Sequence, residues 1–202
     1  MERKMSKLFE RGMFGDAHLT VVAKKFQHYI KEVKFFYTKK GKNTHLMVFL
    51  CGTGKIPPIS FNRKKELDYF RKIVCDIILR KEDEEKFKFS SIMFCGYGEG
   101  AAIAITLLSE TREHYRKDIK DGLLTGLGFY MPRFVKKKNY NNKRYLFFST
   151  IEFNVEKDNK LRKLLGYRKP GNIIKLWSSL KAKRKACANP TAYYGLLSEI
   201  NI

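Results

Sequence analysis

Ser91-Ile92-Met93-Phe94-Cys95-Gly96-Tyr97-Gly98-Glu99-Gly100-Ala101-Ala102-Ile103-Ala104 is the stretch on which the reading of this chain turns. An apolar run of strand length ends at Gly96, and a helix-forming run of alanine, isoleucine and leucine begins after Gly100. Three glycines at alternate positions separate the two, so the chain has to reverse sharply and bring backbones close together. Strand, glycine turn and buried helix predict an α/β crossover with a site at the turn. Two chemistries use such a turn: the G-x-S-x-G loop that presents a nucleophilic serine, and the G-x-G-x-x-G/A loop that holds a phosphate. Gly96-Tyr97-Gly98-Glu99-Gly100 has the frame of the first, with glycine where the serine would stand.

Toward the N-terminus, His45–Cys51 is a continuous apolar run, as expected of a strand buried on both faces. Between it and the glycine turn, an amphipathic helix is predicted over 62–80, with Leu67, Phe70, Ile73, Val74, Ile77 and Ile78 inward. A charged turn, Arg80–Lys86, leads to the central strand. Residues 1–15 read as a polar lead-in. Leu19, Val22, Phe26, Ile30, Val33 and Tyr37 fall at helical spacing, which predicts a helix over 16–38 capped by Asp16. Lys39–Thr44 is a turn. Toward the C-terminus, 126–131 reads as a third strand and Tyr145–Phe153 as a fourth. Asp158 caps a short basic helix ended by Gly166, and Ile173–Trp177 fits either a strand or a helix start. A helix over Thr191–Ile200 lies within a basic C-terminal segment, 178–202. The three strands 45–51, 91–96 and 126–131 are expected to be adjacent and parallel, in one domain spanning 1–202.

The 202 residues are 44% apolar and carry a net charge of +22, so a globular and strongly cationic protein is expected. The charge is uneven: from Gly122 to Ser198 there are seventeen Lys and Arg against three acids, Glu152, Glu156 and Asp158. Such a field favours nucleic acid, an anionic membrane or an acidic protein, and it equally serves as a solvated surface. Met1–Lys7 lacks the apolar core of a signal peptide, and no run reaches membrane-spanning length. An intracellular place, cytoplasmic or nuclear, is therefore expected, with no transmembrane segment. The four cysteines have no metal-ligand spacing and are read as thiols, and no metal or cofactor is expected.

Several fragments, in order over roughly 17–197, resemble the class 3 (fungal-type) lipase family. Phe49-Leu50-Cys51-Gly52-Thr53 resembles its F-R-G-T strand end, and Gly96–Ala104 its G-H-S-x-G-G-A-x-A turn. Gly128–Val135 resembles its F-G-x-P-R-V-G-N segment, Tyr167–Gly171 its Y-x-H-x-G, and Asn189–Gly195 its D-H-x-x-Y-F. The resemblance implies a trimmed α/β-hydrolase fold, with a central, mostly parallel sheet flanked by helices. It also implies where the chemistry would be: the nucleophile position is Gly98, the acid position falls near Glu152, and the histidine position is Pro190. Serine hydrolysis needs a nucleophile, a base and an acid, and here the first two positions cannot serve. The histidines are His18, His28, His45 and His114, with none after His114. Glu99 would place a carboxylate where an oxyanion has to be stabilised. No ester hydrolysis is expected.

The other motifs are weaker. Gly54-Lys55 lacks the glycine and the Ser/Thr of a phosphate loop, because Phe49 and Ile56 occupy those positions. Gly96-x-Gly98-x-x-Ala101 fits a dinucleotide turn but lacks the acidic residue that should end a following strand. Cys51 and Cys95 are expected to pack as small apolar groups. Cys187 is flanked by cations that lower a thiol pKa, so it is the candidate cross-link between chains. Lys136, Lys137, Lys138, Lys143 and Arg144 form one basic cluster, and Lys181, Lys183, Arg184 and Lys185 another. The expected function is that of a non-catalytic structural protein that associates with itself; the trimmed, lysine-rich chain resembles viral occlusion-body matrix proteins of the nudivirus polyhedrin type. The alternative is a module that binds nucleic acid or an anionic membrane on the same inert fold.

Overall fold

The computed structural model describes residues 13–14, 30–52, 64–114, 123–136, 146–153 and 163–176. In chain order these form β1 (Met13–Phe14), β2 (Ile30–Lys40), β3 (Asn43–Gly52), α1 (Lys64–Glu85), β4 (Ser91–Tyr97), α2 (Glu99–His114) and β5 (Leu124–Phe129). β6 (Val135–Lys136), β7 (Phe148–Phe153), β8 (Tyr167–Arg168) and β9 (Asn172–Leu176) follow. Seven strands make one sheet in the order β1-β2-β3-β4-β5-β7-β9, and β6 pairs with β8 in a separate two-stranded sheet.

Within the seven-stranded sheet every pairing from β3 to β9 is parallel, with β3, β4 and β5 adjacent as expected, while β6 and β8 pair antiparallel. Both faces of this central region are buried, which is why β3 and β4 read as unbroken apolar runs. Leu46, Val48, Leu50, Ile92 and Phe94 share one core cluster with Val74, Ile77 and Ile78 of α1 and Ala101, Ile103 and Ala104 of α2. Met47, Phe49, Cys51, Cys95, Tyr97 and Phe129 form a second cluster. Because strand side chains alternate between faces, the two clusters lie on opposite faces of the sheet.

The helix expected over 16–38 is corrected: Ile30–Lys40 is strand β2, antiparallel to β3 from Lys40↔Asn43 to Ile30↔Gly52. Ile30, Val33 and Tyr37 fall at helical spacing, but Val33, Phe35 and Tyr37 alternate at period 2, and β-branched and aromatic residues suit a pleated surface. The tight loop at Gly41, with φ +61, then delivers β2 onto the free edge of β3. Residues 15–29 lie outside the described set. The charged stretch read as a turn is also helical, since α1 runs on to Glu85. Lys81 supports this last turn: its Nζ donates to Glu85 Oε1 at 2.7 Å and lies 5.9 Å from the Tyr37 ring centroid. The third strand sits two residues earlier than expected, at Leu124–Phe129, and the fourth begins at Phe148. Asn172–Leu176 resolves the ambiguous segment as a strand.

The end of α1 is tied to the start of β4 by one buried carboxylate. Glu82 is 6% exposed, and its Oε1 accepts a hydrogen bond from the backbone N–H of Phe89 at 2.7 Å. Glu82→Ala leaves that buried N–H without an acceptor and is expected to cost about 1–3 kcal/mol, while Glu82→Gln retains an acceptor oxygen and costs less. Equilibrium urea denaturation of the two variants checks this; equal losses would show that the hydrogen bond is not the source.

Candidate functional site

The glycine turn stands at the carboxyl edge of the parallel strands, where β4 hands the chain to α2. Gly98 N–H donates to Phe129 O at 2.9 Å, and Ala101 N–H donates to Gly98 O at 3.1 Å, which closes the turn. Gly98 has φ +59, a left-handed conformation that glycine adopts without steric cost. A Cβ built there meets nothing within 4 Å, whereas one on Gly96 would lie 2.4 Å from the Gly100 carbonyl. One on Gly100 would lie 2.2 Å from Leu50 O. The flanking glycines therefore let α2 press against β3 and β4, and the middle one points into open space. The apex of the turn is thus the one glycine of the three where a side chain would have room.

Beside the turn lies the end of β3. A Cβ on Gly52 would come within 2.8 Å of both the Glu99 amide nitrogen and Glu99 Oε2. Glu99 is only 3% exposed, so its carboxylate is buried between the turn and β3. An oxyanion site needs donors aimed at developing negative charge; this position instead holds an acidic side chain.

One residue beyond the aligned row Tyr97↔Phe129↔Ile151 come Gly98, Tyr130 and Glu152. The structure thus brings Gly98 and Glu152 to the same sheet margin, two strand spacings or roughly 10 Å apart. Lys169 Nζ approaches Glu152 Oε1 to 2.6 Å, with both side chains mostly buried at 10% and 18% exposed. The contact is ionic rather than a well-formed hydrogen bond, because Oε1 has no partner at hydrogen-bonding angles. Thr150 Oγ1 donates to Pro170 O at 3.5 Å, which places the segment before β9 along β7. Lys169 was not singled out from the sequence, and its only signal was its place in Tyr167–Gly171. Tyr130 was missed too. It adopts φ +49, unusual for a residue with a side chain, and its ring stacks on Tyr97 with centroids 5.7 Å apart. Nothing in the local sequence announces that conformation.

Among the described residues neither histidine reaches this margin. His45 Nδ1 lies 2.7 Å from Ser91 Oγ at the amino end of the strands. From the row His45↔Ser91 to the row Cys51↔Tyr97 is six residues, or about 20 Å. His114 ends α2, fifteen residues past Glu99 and about 22 Å along the helix axis. Pro190, Cys187, Lys137, Lys138, Lys143, Arg144, Lys181, Lys183, Arg184 and Lys185 lie outside the described residues, as does Lys136 beyond its backbone in β6.

The described thiols, Cys51, Cys75 and Cys95, are buried and none of them is in a disulfide. Burial pushes the Cys95 thiol up from 9.0 to about 12, opposed by a hydrogen bond with the Gly96 backbone. Its neutral form persists in the fold while the unfolded chain ionises first, so this group subtracts stability as pH rises from about 9 toward 12. Cys95 is therefore expected to react with an aromatic disulfide reagent at pH 8 only as fast as the protein unfolds. Mass spectrometry of the labelled native protein checks this, and prompt modification of Cys95 would contradict its burial. Among the described residues no group of His, Cys, Asp and Glu could hold a metal ion. No helix among them is long and apolar enough to cross a membrane.

A central, mostly parallel sheet, crossover helices before and after β4 in the chain and a glycine turn at the carboxyl edge define a trimmed α/β-hydrolase fold. Among solved structures the chain is similar to the lipase of Rhizopus microsporus var. chinensis, with TM-score 0.53 and 12% identity over 72% of this chain and 57% of that one. It is also similar to the triacylglyceride lipase of Rhizomucor miehei, with TM-score 0.51 and 10% identity over 74% of this chain and 63% of that one. The chain thus spans about three-fifths of the length of the lipases it matches. At this identity the likeness is one of fold. No protein-family model and no curated protein sequence matches the chain.

Proposed function

We propose that this chain is a non-catalytic structural protein, a lipase-like fold that self-assembles into a dense protein lattice. The observation that carries the non-catalytic reading is Gly98: it occupies the apex of the turn with no side chain, and the space above it is open. Glu152, the residue at the acid position, is engaged by Lys169 rather than available to orient an imidazole. The proposal of assembly draws on exposed leucines: Leu164 is 83% and Leu146 57% exposed. Aliphatic side chains this open favour burial against another surface. A viral occlusion-body matrix in the cytoplasm or nucleus of an infected cell is the setting we propose, with Cys187 as the cross-link.

Hydrolysis of short p-nitrophenyl esters should not exceed a buffer blank. Gly98→Ser has room for its side chain and should fold, yet it should stay inactive because Pro190 stands at the histidine position and neither described histidine reaches the turn. A clear rate from either protein would refute the non-catalytic reading. Sedimentation of the pure protein at neutral pH should show large particles that loosen near pH ~4 and ~10.4, where carboxylates and lysines lose charge. A monomer at high concentration would refute assembly.

A second reading has its own support: seventeen cations against three acids over 122–198 suit a polyanion such as nucleic acid or an anionic membrane. Binding to mixed-sequence DNA that weakens linearly in log salt, by a protein that does not sediment, would favour it.

A further inference from the structure

β9 closes the sheet, hydrogen-bonded to β7 on one side and, among the described residues, to nothing on the other. Over 172–175 it is exposed on both faces as well. Ile173 is 47% and Ile174 45% exposed, and Asn172 and Lys175 are exposed too. Edge strands usually carry protection, such as a proline, a bulge or several charges, against pairing with another chain. Within Asn172–Leu176 there is one lysine, no proline and no shift in register. Among the described residues of 163–176 the exposed charges share one sign: Lys163, Arg168 and Lys175 are exposed, and Glu152, the acid beside Lys175 on β7, is held by Lys169. From Asn159 to Ser198 the sequence has ten basic residues and no acid.

We infer that β9 is a strand-addition site for an extended segment of another protein that alternates acidic and aliphatic residues. The backbone of such a segment would pair with that edge, its aliphatic side chains would cover Ile173 or Ile174, and its carboxylates would meet Lys175. A second copy of this chain fits worse, because it would bring the same cations to the contact. Nucleic acid has no use for a bare isoleucine edge. The inference goes beyond the proposed lattice and stands whether or not the chain assembles with itself through other surfaces.

Three labelled eight-residue peptides test it on the full-length protein by fluorescence anisotropy. One alternates Glu and Val, one alternates Lys and Val, and the third repeats the first with alternate backbone nitrogens methylated. The Glu/Val peptide should bind and protect the amides of 172–176 from hydrogen exchange, and the Lys/Val peptide should not bind. Methylation keeps the charge and removes main-chain donors, so it should weaken binding by at least about tenfold. Lys175→Glu should weaken it by about five- to tenfold, and Ile174→Asn should also weaken it; both positions are exposed, so the fold should survive. Equal binding of the methylated peptide would overturn the inference, because charge alone would then carry the contact. So would failure of the Glu/Val peptide to bind, protection of β9 amides in a dimer of the free protein, or capture by vesicles of anionic lipid that Ile174→Asn abolishes.

Discussion

Gly100→Ala is expected to destabilise the protein by at least about 3 kcal/mol, and Gly96→Ala by a similar amount, with both expressed poorly. The added Cβ would lie 2.2 Å from Leu50 O in the first case and 2.4 Å from the Gly100 carbonyl in the second. In both, the obstacle is backbone, and relief would require α2 to lift from the sheet whose core it completes. Ala101, Ile103 and Ala104 are fully buried in that contact, so lifting the helix sacrifices their packing as well. Gly98→Ala is the internal control. It meets nothing within 4 Å, and its only cost is the left-handed backbone at φ +59, about 1 kcal/mol. Urea denaturation of the three variants should therefore rank the middle glycine far below its neighbours. If Gly100→Ala melts within 1 kcal/mol of the parent, the close approach of α2 to β3 is wrong.

Phe148→Ala should cost about 3–5 kcal/mol. The ring is fully buried and fills the space left by glycines on two neighbours: a Cβ on Gly126 would lie 2.2 Å from Phe148 Cδ2, and one on Gly171 would lie 3.1 Å from Cδ1. Gly126→Ala by itself should also destabilise, since it forces that ring aside. In the Phe148→Ala background the same methyl enters the vacated space, so its cost should fall by about 1–3 kcal/mol. A double-mutant cycle measures this coupling directly. Strict additivity would mean that the ring and the glycine do not share the space.

The glycine turn and the strand before it were legible because their cause is local. An apolar run, three alternate glycines and an alanine-rich run leave the backbone few choices, and Gly98 could be placed at the apex from sequence alone. The acid margin was half legible. Glu152 was found through the resemblance, but Lys169, seventeen residues away in the chain, meets it only because β9 and the segment just before it return alongside β7. His45 was visible as a histidine, yet its distance from the turn depends on strand direction, which no count of residues supplies. β2 was misread because Ile30, Val33 and Tyr37 fit a helical period while Val33, Phe35 and Tyr37 fit a strand's; the free edge of β3 then decided for the strand.

By itself, the sequence determined the central crossover, the two-faced burial of β3 and β4, and the lack of a side chain at Gly98. Each follows from short-range sterics or from hydrophobic patterning within one element. Only the tertiary structure decided that Glu99 is buried against Gly52, that Tyr130 takes a left-handed backbone beside Tyr97, and that β9 ends the sheet with both isoleucines exposed. These depend on which strands become neighbours, and strand pairing is a non-local choice set by the packing of the whole sheet.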